Sequence, residues 1–265
     1  MTTGTIRQER RADGVVTLWL DNPAMRNALN DAMIDALIAS LRDLGRDPSC
    51  RAIVLRGVGG IFCAGRELNN LLQLQGADAE TIAATYQVLR ELNEAVYYCG
   101  KPTISVLERY ALGAGAALAT WSDLAIAAED TLLGYPEVKV GLPPSQTTVS
   151  LIRGVPRKIA MDLLLTARNI RAEEALRIGL VSRVAPKGGI DALLEEMLGE
   201  LLRASPEALA RTKQVVWKVE DADYHSAVAT AVDCICTAIT TREAREGISA
   251  FVEKRQPDWA QARKA

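Results

Sequence analysis

Two glycine turns set most of what this chain can fold into. The first, Phe62-Cys63-Ala64-Gly65-Arg66-Glu67-Leu68, follows a short apolar run at Ala52 to Leu55 and a turn at Gly57 to Gly60. The second, Leu112-Gly113-Ala114-Gly115-Ala116-Ala117, follows a β-rich run at Thr103 to Leu107 and leads into an Ala/Leu helical run that ends near Trp121. Each turn comes after a strand and opens a helix. Two further apolar runs, Leu124 to Ala128 and Thr131 to Leu133, lead to a lone acid, Glu137. Strands, a helix, then strands again predict an α/β fold of stacked ββα turns, although no repeat is strict enough to mark a solenoid. A glycine turn at a helix start leaves backbone N–H groups unpaired at the positive end of the helix. Such groups can hold a developing oxyanion, and a nearby proton-transfer group completes a site for chemistry beside a carbonyl. The glycines do not form a dinucleotide fingerprint, because the third glycine and the ribose-binding acid are missing. No P-loop sequence occurs.

The flanking chain agrees with this frame. Thr5 to Arg10 and Val15 to Leu20 read as a hairpin turned at Asp13-Gly14. Asn30 reads as the N-cap of a helix carrying Met33, Ile34, Leu37, Ile38, Leu41 and Leu44 at helical spacing. Another helix runs from about Ala79 to Tyr98. A helix begins at Pro143-Pro144-Ser145, and from Ile190 the chain is helical to its end. The expected organisation is therefore an α/β core over residues 1–189 and an α-helical region over 190–265.

Composition excludes several functions. With 31 basic and 33 acidic residues the formal charge is -2, without the basic balance of a nucleic-acid platform. No apolar run has the length of a membrane span, and the first residues carry no apolar core of a secretory signal. Five cysteines without a C-x-x-C pair point to reduced thiols and a cytoplasmic location. One histidine, His225, on a polar helical stretch, argues against a metal site or a Ser-His or Cys-His mechanism.

Five stretches carry a resemblance in order along nearly the whole chain. They are Asn22-Pro23 with Asn27-Ala28-Leu29; Phe62-Cys63-Ala64-Gly65; Ala111-Leu112-Gly113-Ala114-Gly115; Pro136-Glu137-Val138 with Gly141-Leu142-Pro143; and Glu246-Gly247 with Phe251-Val252-Glu253-Lys254-Arg255. Together they resemble the enoyl-CoA hydratase/isomerase family, the crotonase superfamily. The resemblance implies a spiral of ββα turns with a helical C-terminal region that mediates trimerisation, giving a homotrimer or hexamer. It implies an acyl-CoA substrate and no cofactor other than the coenzyme A that the substrate carries. The thioester oxygen would be held by the amides of Arg66 and Ala114. Arg26, Ala28 and Ala64 would meet the coenzyme, with Phe251 and Lys254 supplied by a neighbouring subunit.

The chain departs from the family at one place. Typical hydratases carry two glutamates, and here the first position is Ala117, so Glu137 of the Pro-Glu motif is the candidate acid/base. Asp123 and Glu129 are the nearby substitutes, with a structural role favoured for Asp123. Enoyl-CoA hydratase is the leading activity, Δ3-Δ2-enoyl-CoA isomerase the alternative that one carboxylate can serve, and a non-catalytic acyl-CoA-binding protein the third. The Arg66 side chain reads as a solvated charge, Glu67 as an ordinary first-turn acid, and Trp121 and Trp217 as packing residues. Leu71, Leu72, Leu74, Tyr86 and Leu89 fall in the segment that lines the acyl pocket of relatives. They point to an apolar pocket for an uncharged acyl group.

Overall fold

A computed structural model describes residues 4–67, 72–259 and 261. Among these, the residues up to Glu196 form one compact unit, apart from Gly100–Pro102; those three and the residues from Met197 onward form a second.

The first unit is built on a six-stranded sheet in the order β1-β2-β3-β4-β6-β9. Its strands are β1 (Thr5–Arg10), β2 (Val15–Asp21), β3 (Ala52–Gly57), β4 (Thr103–Leu107), β6 (Leu124–Ala128) and β9 (Arg183–Ala185). The β1–β2 pair is the antiparallel hairpin, turned where Gly14 takes φ 87°. The other pairs are parallel. β3 and β4 are almost wholly buried, as parallel strands covered on both faces must be, and they read as continuous apolar runs. A second sheet holds β5 (Tyr110–Leu112), β7 (Leu132–Gly134) and β8 (Ile170–Arg171) in the order β5-β7-β8. Two single parallel bridges, Leu29 with Arg66 and Cys63 with Ala111, continue the same stacking toward the N-terminus. Successive turns of the chain thus lay one strand on the large sheet and a short rung on the small one. This is the expected spiral.

The helices follow local signals. α1 (Asp31–Arg46) starts at Asn30, whose side chain accepts from the Met33 amide at 2.9 Å, and it buries Met33, Ile34, Leu37, Ile38, Leu41 and Leu44. α2 (Ala79–Tyr97) starts at Asp78, which caps Thr81. α3 (Ala114–Trp121) is short and made of small residues, and it lies buried. α4 (Ser145–Gly154), α5 (Arg157–Thr166) and α6 (Ala172–Arg177) follow, and the division between the units falls inside α7 (Ile190–Arg203).

One buried network holds the loop before α1. Asn27 is fully buried in the left-handed region at φ 56°. Its Nδ2 donates to the carbonyls of Val58 and Ile61, and its Oδ1 accepts from the Asn22 amide. The Nδ2 of Asn22 donates to the Ala28 carbonyl and to Oε1 of Glu67. Glu67 is therefore a tie between the first two turns of the spiral rather than an ordinary first-turn acid. Asp123 is likewise structural: its Oδ2 accepts from the amide and hydroxyl of Thr103.

The second unit is helical. α8 (Pro206–Val219) is capped by Ser205, α9 (Tyr224–Ala238) by Asp223 and α10 (Arg242–Val252) by Thr241. Buried Glu243 accepts from the Ser205 hydroxyl and the Glu207 amide. Val228, Val232 and Ile235 of α9, with Ile239 just beyond, follow helical spacing and stay exposed, as do Ile248, Phe251 and Val252 of α10. Among the described residues no helix is long and apolar enough to cross a membrane.

Candidate active site

The two glycine turns meet. The pairing of Cys63 with Ala111 zips the first turn onto β5: the Cys63 amide donates to the Tyr110 carbonyl at 2.9 Å and the Leu112 amide to the Cys63 carbonyl at 3.0 Å. The ladder then ends. Gly65 takes φ 113° and Gly113 takes φ 51°, conformations open to glycine and strained for other residues. On its other side the first turn stays paired, with the Leu29 amide donating to the Gly65 carbonyl and the Glu67 amide to the Leu29 carbonyl. In a parallel bridge those two bonds leave the amide of the middle residue, Arg66, facing away from Leu29. The Ala114 amide is the first of α3 and has no intrahelical acceptor. Among the described residues neither amide meets an acceptor. They belong to neighbouring walls, since a Cβ placed on Gly65 would lie 3.9 Å from the Ala114 nitrogen.

Glu137 faces the same gap. It opens a single tight helical turn (Glu137–Val140) that Gly141 closes with φ 77°. A Cβ placed on Gly113 would lie 3.2 Å from its Oε1, and its buried Oε2 finds no hydrogen-bond partner among the described residues. Burial raises the carboxyl above its ordinary range, opposed by a bond from its own amide. Behind it, buried Tyr135 bonds to the Thr120 hydroxyl at 3.0 Å and is held in its neutral form by burial, despite that bond. Cys63 is fully buried in the core, and burial pushes its thiol up to about 12.

A cavity of about 270 Å³ opens between these groups, walled by Ala64, Arg66, Ala114, Ala117, Glu137 and neighbouring residues. Among the described residues Glu137 is the one carboxylate on its wall; Asp123 and Glu129 are not part of it. Tyr86 and Leu89 line it, whereas Leu72 and Leu74 do not, and Leu71 lies outside the described residues, as does the start of the helix expected after Gly65. Trp121 packs in the core as expected and also lines the cavity; its buried indole N–H finds no partner among the described residues. Gln146, which no sequence signal marked, donates to the Tyr86 carbonyl from the wall and leaves its Oε1 unpaired. The Arg66 side chain, expected in solvent, is only 8% exposed. Whether a side chain at a turn is covered depends on what packs over it, and local sequence carries no record of that.

The coenzyme candidates fall into two groups. Exposed Arg26, at φ 54°, stacks over Tyr110, and its carbonyl accepts from the Ala64 amide, so Arg26 and Ala64 are neighbours. Ala28 is buried beside them in sequence. Phe251 and Lys254 lie in the second unit and are exposed.

A spiral of ββα turns thus brings together, at its glycine turns, one carboxylate and two amides that meet no acceptor among the described residues, and its relatives place it in a class of enzymes. The chain belongs to the enoyl-CoA hydratase/isomerase family, whose model matches residues 10–263. It is 34% identical to 2,3-dehydroadipyl-CoA hydratase of Escherichia coli over 96% of both chains. It is 31% identical to the mitochondrial enoyl-CoA hydratase domain-containing protein 3 of Rattus norvegicus, over 95% of this chain and 83% of that one. The solved enoyl-CoA hydratase of Mycobacterium smegmatis superposes with a TM-score of 0.91 at 33% identity, covering 96% of this chain and 98% of that one.

Proposed function

We propose that the protein is an enoyl-CoA hydratase with Glu137 as its acid/base. The observation that carries this reading is the Glu137 carboxyl, half-buried with a free Oε2 beside the unpaired amides of Arg66 and Ala114. Those amides would draw electron density onto the thioester oxygen and leave C3 of a 2-enoyl-CoA electrophilic. Glu137 takes a proton from water as the water oxygen bonds to C3, and the resulting enolate is held at the amides. Glu137 then returns the proton to C2, so the elements of one water are added and the carboxylate is regenerated. With Ala117 at the other family position, one carboxylate serves both transfers in turn. Arg26, Ala28 and Ala64 are the coenzyme contacts in this reading, and no group beyond the substrate's own coenzyme A takes part.

The single carboxylate also favours a second reading, Δ3-Δ2-enoyl-CoA isomerase, in which one base carries a proton between C2 and C4. Incubation of a 2-enoyl-CoA in water labelled with heavy oxygen separates the two. Label at C3 of the product is expected. An unlabelled product, together with conversion of 3-enoyl-CoA to 2-enoyl-CoA, would assign the isomerase. Binding without turnover across chain lengths would leave only an acyl-CoA-binding protein.

The exposed apolar stripe of α9 and α10 supports a homotrimer or hexamer, because patches of this kind mark interfaces. Phe251 and Lys254 would then serve a neighbour's coenzyme site. Light scattering is expected to give three or six times the chain mass of 28.6 kDa, and a monomer would overturn the assembly. The free cysteines fit a cytoplasmic protein, and the -2 charge offers nothing to nucleic acid.

A further inference from the structure

The cavity beside Glu137 has on its wall a residue whose cationic side chain is buried. Arg66 lines it, and Nη2 of Arg66 donates to Oδ1 of Asp31 at 2.9 Å. Asp31 is 64% exposed and engages that one nitrogen. Nε and Nη1 are buried and find no acceptor among the described residues. A guanidinium carries five N–H donors and keeps its charge in any protein environment. Burying such donors unpaired is costly, and an incoming acceptor would remove that cost. The titratable groups on the wall are Arg66, Tyr86, Glu137 and Lys139, two cations against one acid. The unpaired indole N–H of Trp121 adds a neutral donor. A plain hydrocarbon tail would satisfy none of these groups.

Resting on the acyl-CoA reading of this cavity, we propose that the acyl group it accepts carries a carboxylate of its own, held by Arg66. The substrate class is then the monothioester of a short unsaturated dicarboxylic acid, in place of the uncharged acyl group expected from the apolar residues between Leu71 and Leu89. Coenzyme A brings anionic oxygens too, in its phosphates, and Ala64, a coenzyme contact in this reading, is two residues away, so the experiment is built to separate the two sources. The amide of Arg66 is one of the two at the thioester oxygen, so its guanidinium sits within one side chain's length of the reacting carbons.

The test compares glutaryl-CoA with pentanoyl-CoA, saturated thioesters of equal chain length that undergo no turnover, by titration calorimetry on the wild type, Arg66→Met and Arg66→Lys. The wild type is expected to bind glutaryl-CoA about tenfold or more tightly, the discrimination of a site whose charged donors go unpaired with the wrong ligand. Arg66→Met is expected to bring the two affinities together and Arg66→Lys to keep part of the difference. Equal affinities in the wild type would overturn the proposal. So would a preference that survives Arg66→Met, including the case where both affinities fall together because Arg66 serves the phosphates. If Arg66→Met is insoluble, the wild-type ratio and Arg66→Lys decide. Failure of both thioesters to bind would overturn the acyl-CoA reading itself, whereas equal binding would overturn the carboxylate alone.

Discussion

Glu137→Gln is expected to lower kcat on a 2-enoyl-CoA by about 10²–10⁴-fold, the usual contribution of a positioned general acid/base, and to make the folded protein more stable at neutral pH. Both effects have one cause. Burial raises the Glu137 carboxyl above its ordinary range, so the folded chain holds this proton more tightly than the unfolded chain. Between the ordinary carboxylate value and the raised one the folded state binds more protons, and stability falls as pH rises through that window. Above it the penalty of a half-buried charge remains in full. Glutamine has nearly the same shape and no charge, so the pH dependence of Tm over the window should flatten and the Tm at pH 7 should rise. Activity runs the other way. The ionised carboxylate is the form that takes a proton from water, so the acidic limb of the wild-type kcat/KM profile is expected above the usual range of a glutamate. Full turnover by the variant on every enoyl-CoA tried would remove Glu137 from the mechanism, and an unchanged pH dependence of Tm would remove the stability argument.

The second large effect is expected at Gly115, in the first turn of α3. A Cβ there would lie 2.8 Å from the Cβ of Cys63 and closer still to the Cys63 carbonyl oxygen. That oxygen already accepts from the Leu112 amide and belongs to the rung that joins the two glycine turns. Backbone cannot swing aside as a flexible side chain can, so Gly115→Ala has to push the turns apart. Overpacking of this kind costs about 3 kcal/mol, read as a lower urea midpoint. It also separates the Arg66 amide from the Ala114 amide. Misplacing a reacting group by about 1 Å can cost about a hundredfold, so kcat/KM should fall by about that factor in whatever protein folds. Gly154→Ala is the control: its Cβ would meet nothing within 4 Å, and the change should stay within about 0.5 kcal/mol. Wild-type stability and turnover in Gly115→Ala would mean that the contact of the two turns does not hold the site together.

What was legible in the sequence was written in short-range interactions. Asp13-Gly14 makes a hairpin turn because the turn needs a residue at positive φ. Asn30 and Ser205 start their helices by accepting from amides three residues further on. Gly113 before a helical run predicts an unpaired amide at Ala114 wherever the helix lies. Glu137 was found through its motif, and the ordered set of five motifs identified the family and hence the spiral. Such features depend on a few neighbouring residues, or on a pattern repeated among relatives.

Tertiary structure decided the rest. β5 and β8 have only three and two residues, too few to show a period, and they exist because β7 lies between them. That the Arg66 and Ala114 amides share one gap with Glu137 depends on how successive turns of the spiral stack. Local sequence placed the Arg66 side chain in water, and the family resemblance placed Leu72 in the segment that lines the pocket. The fold buries the Arg66 side chain, with two nitrogens that find no acceptor among the described residues, and keeps Leu72 off the wall. The reason is physical: backbone conformation is set by a residue and its near neighbours, whereas the surroundings of a side chain are supplied by segments far away in the chain, and they come together only when the core closes.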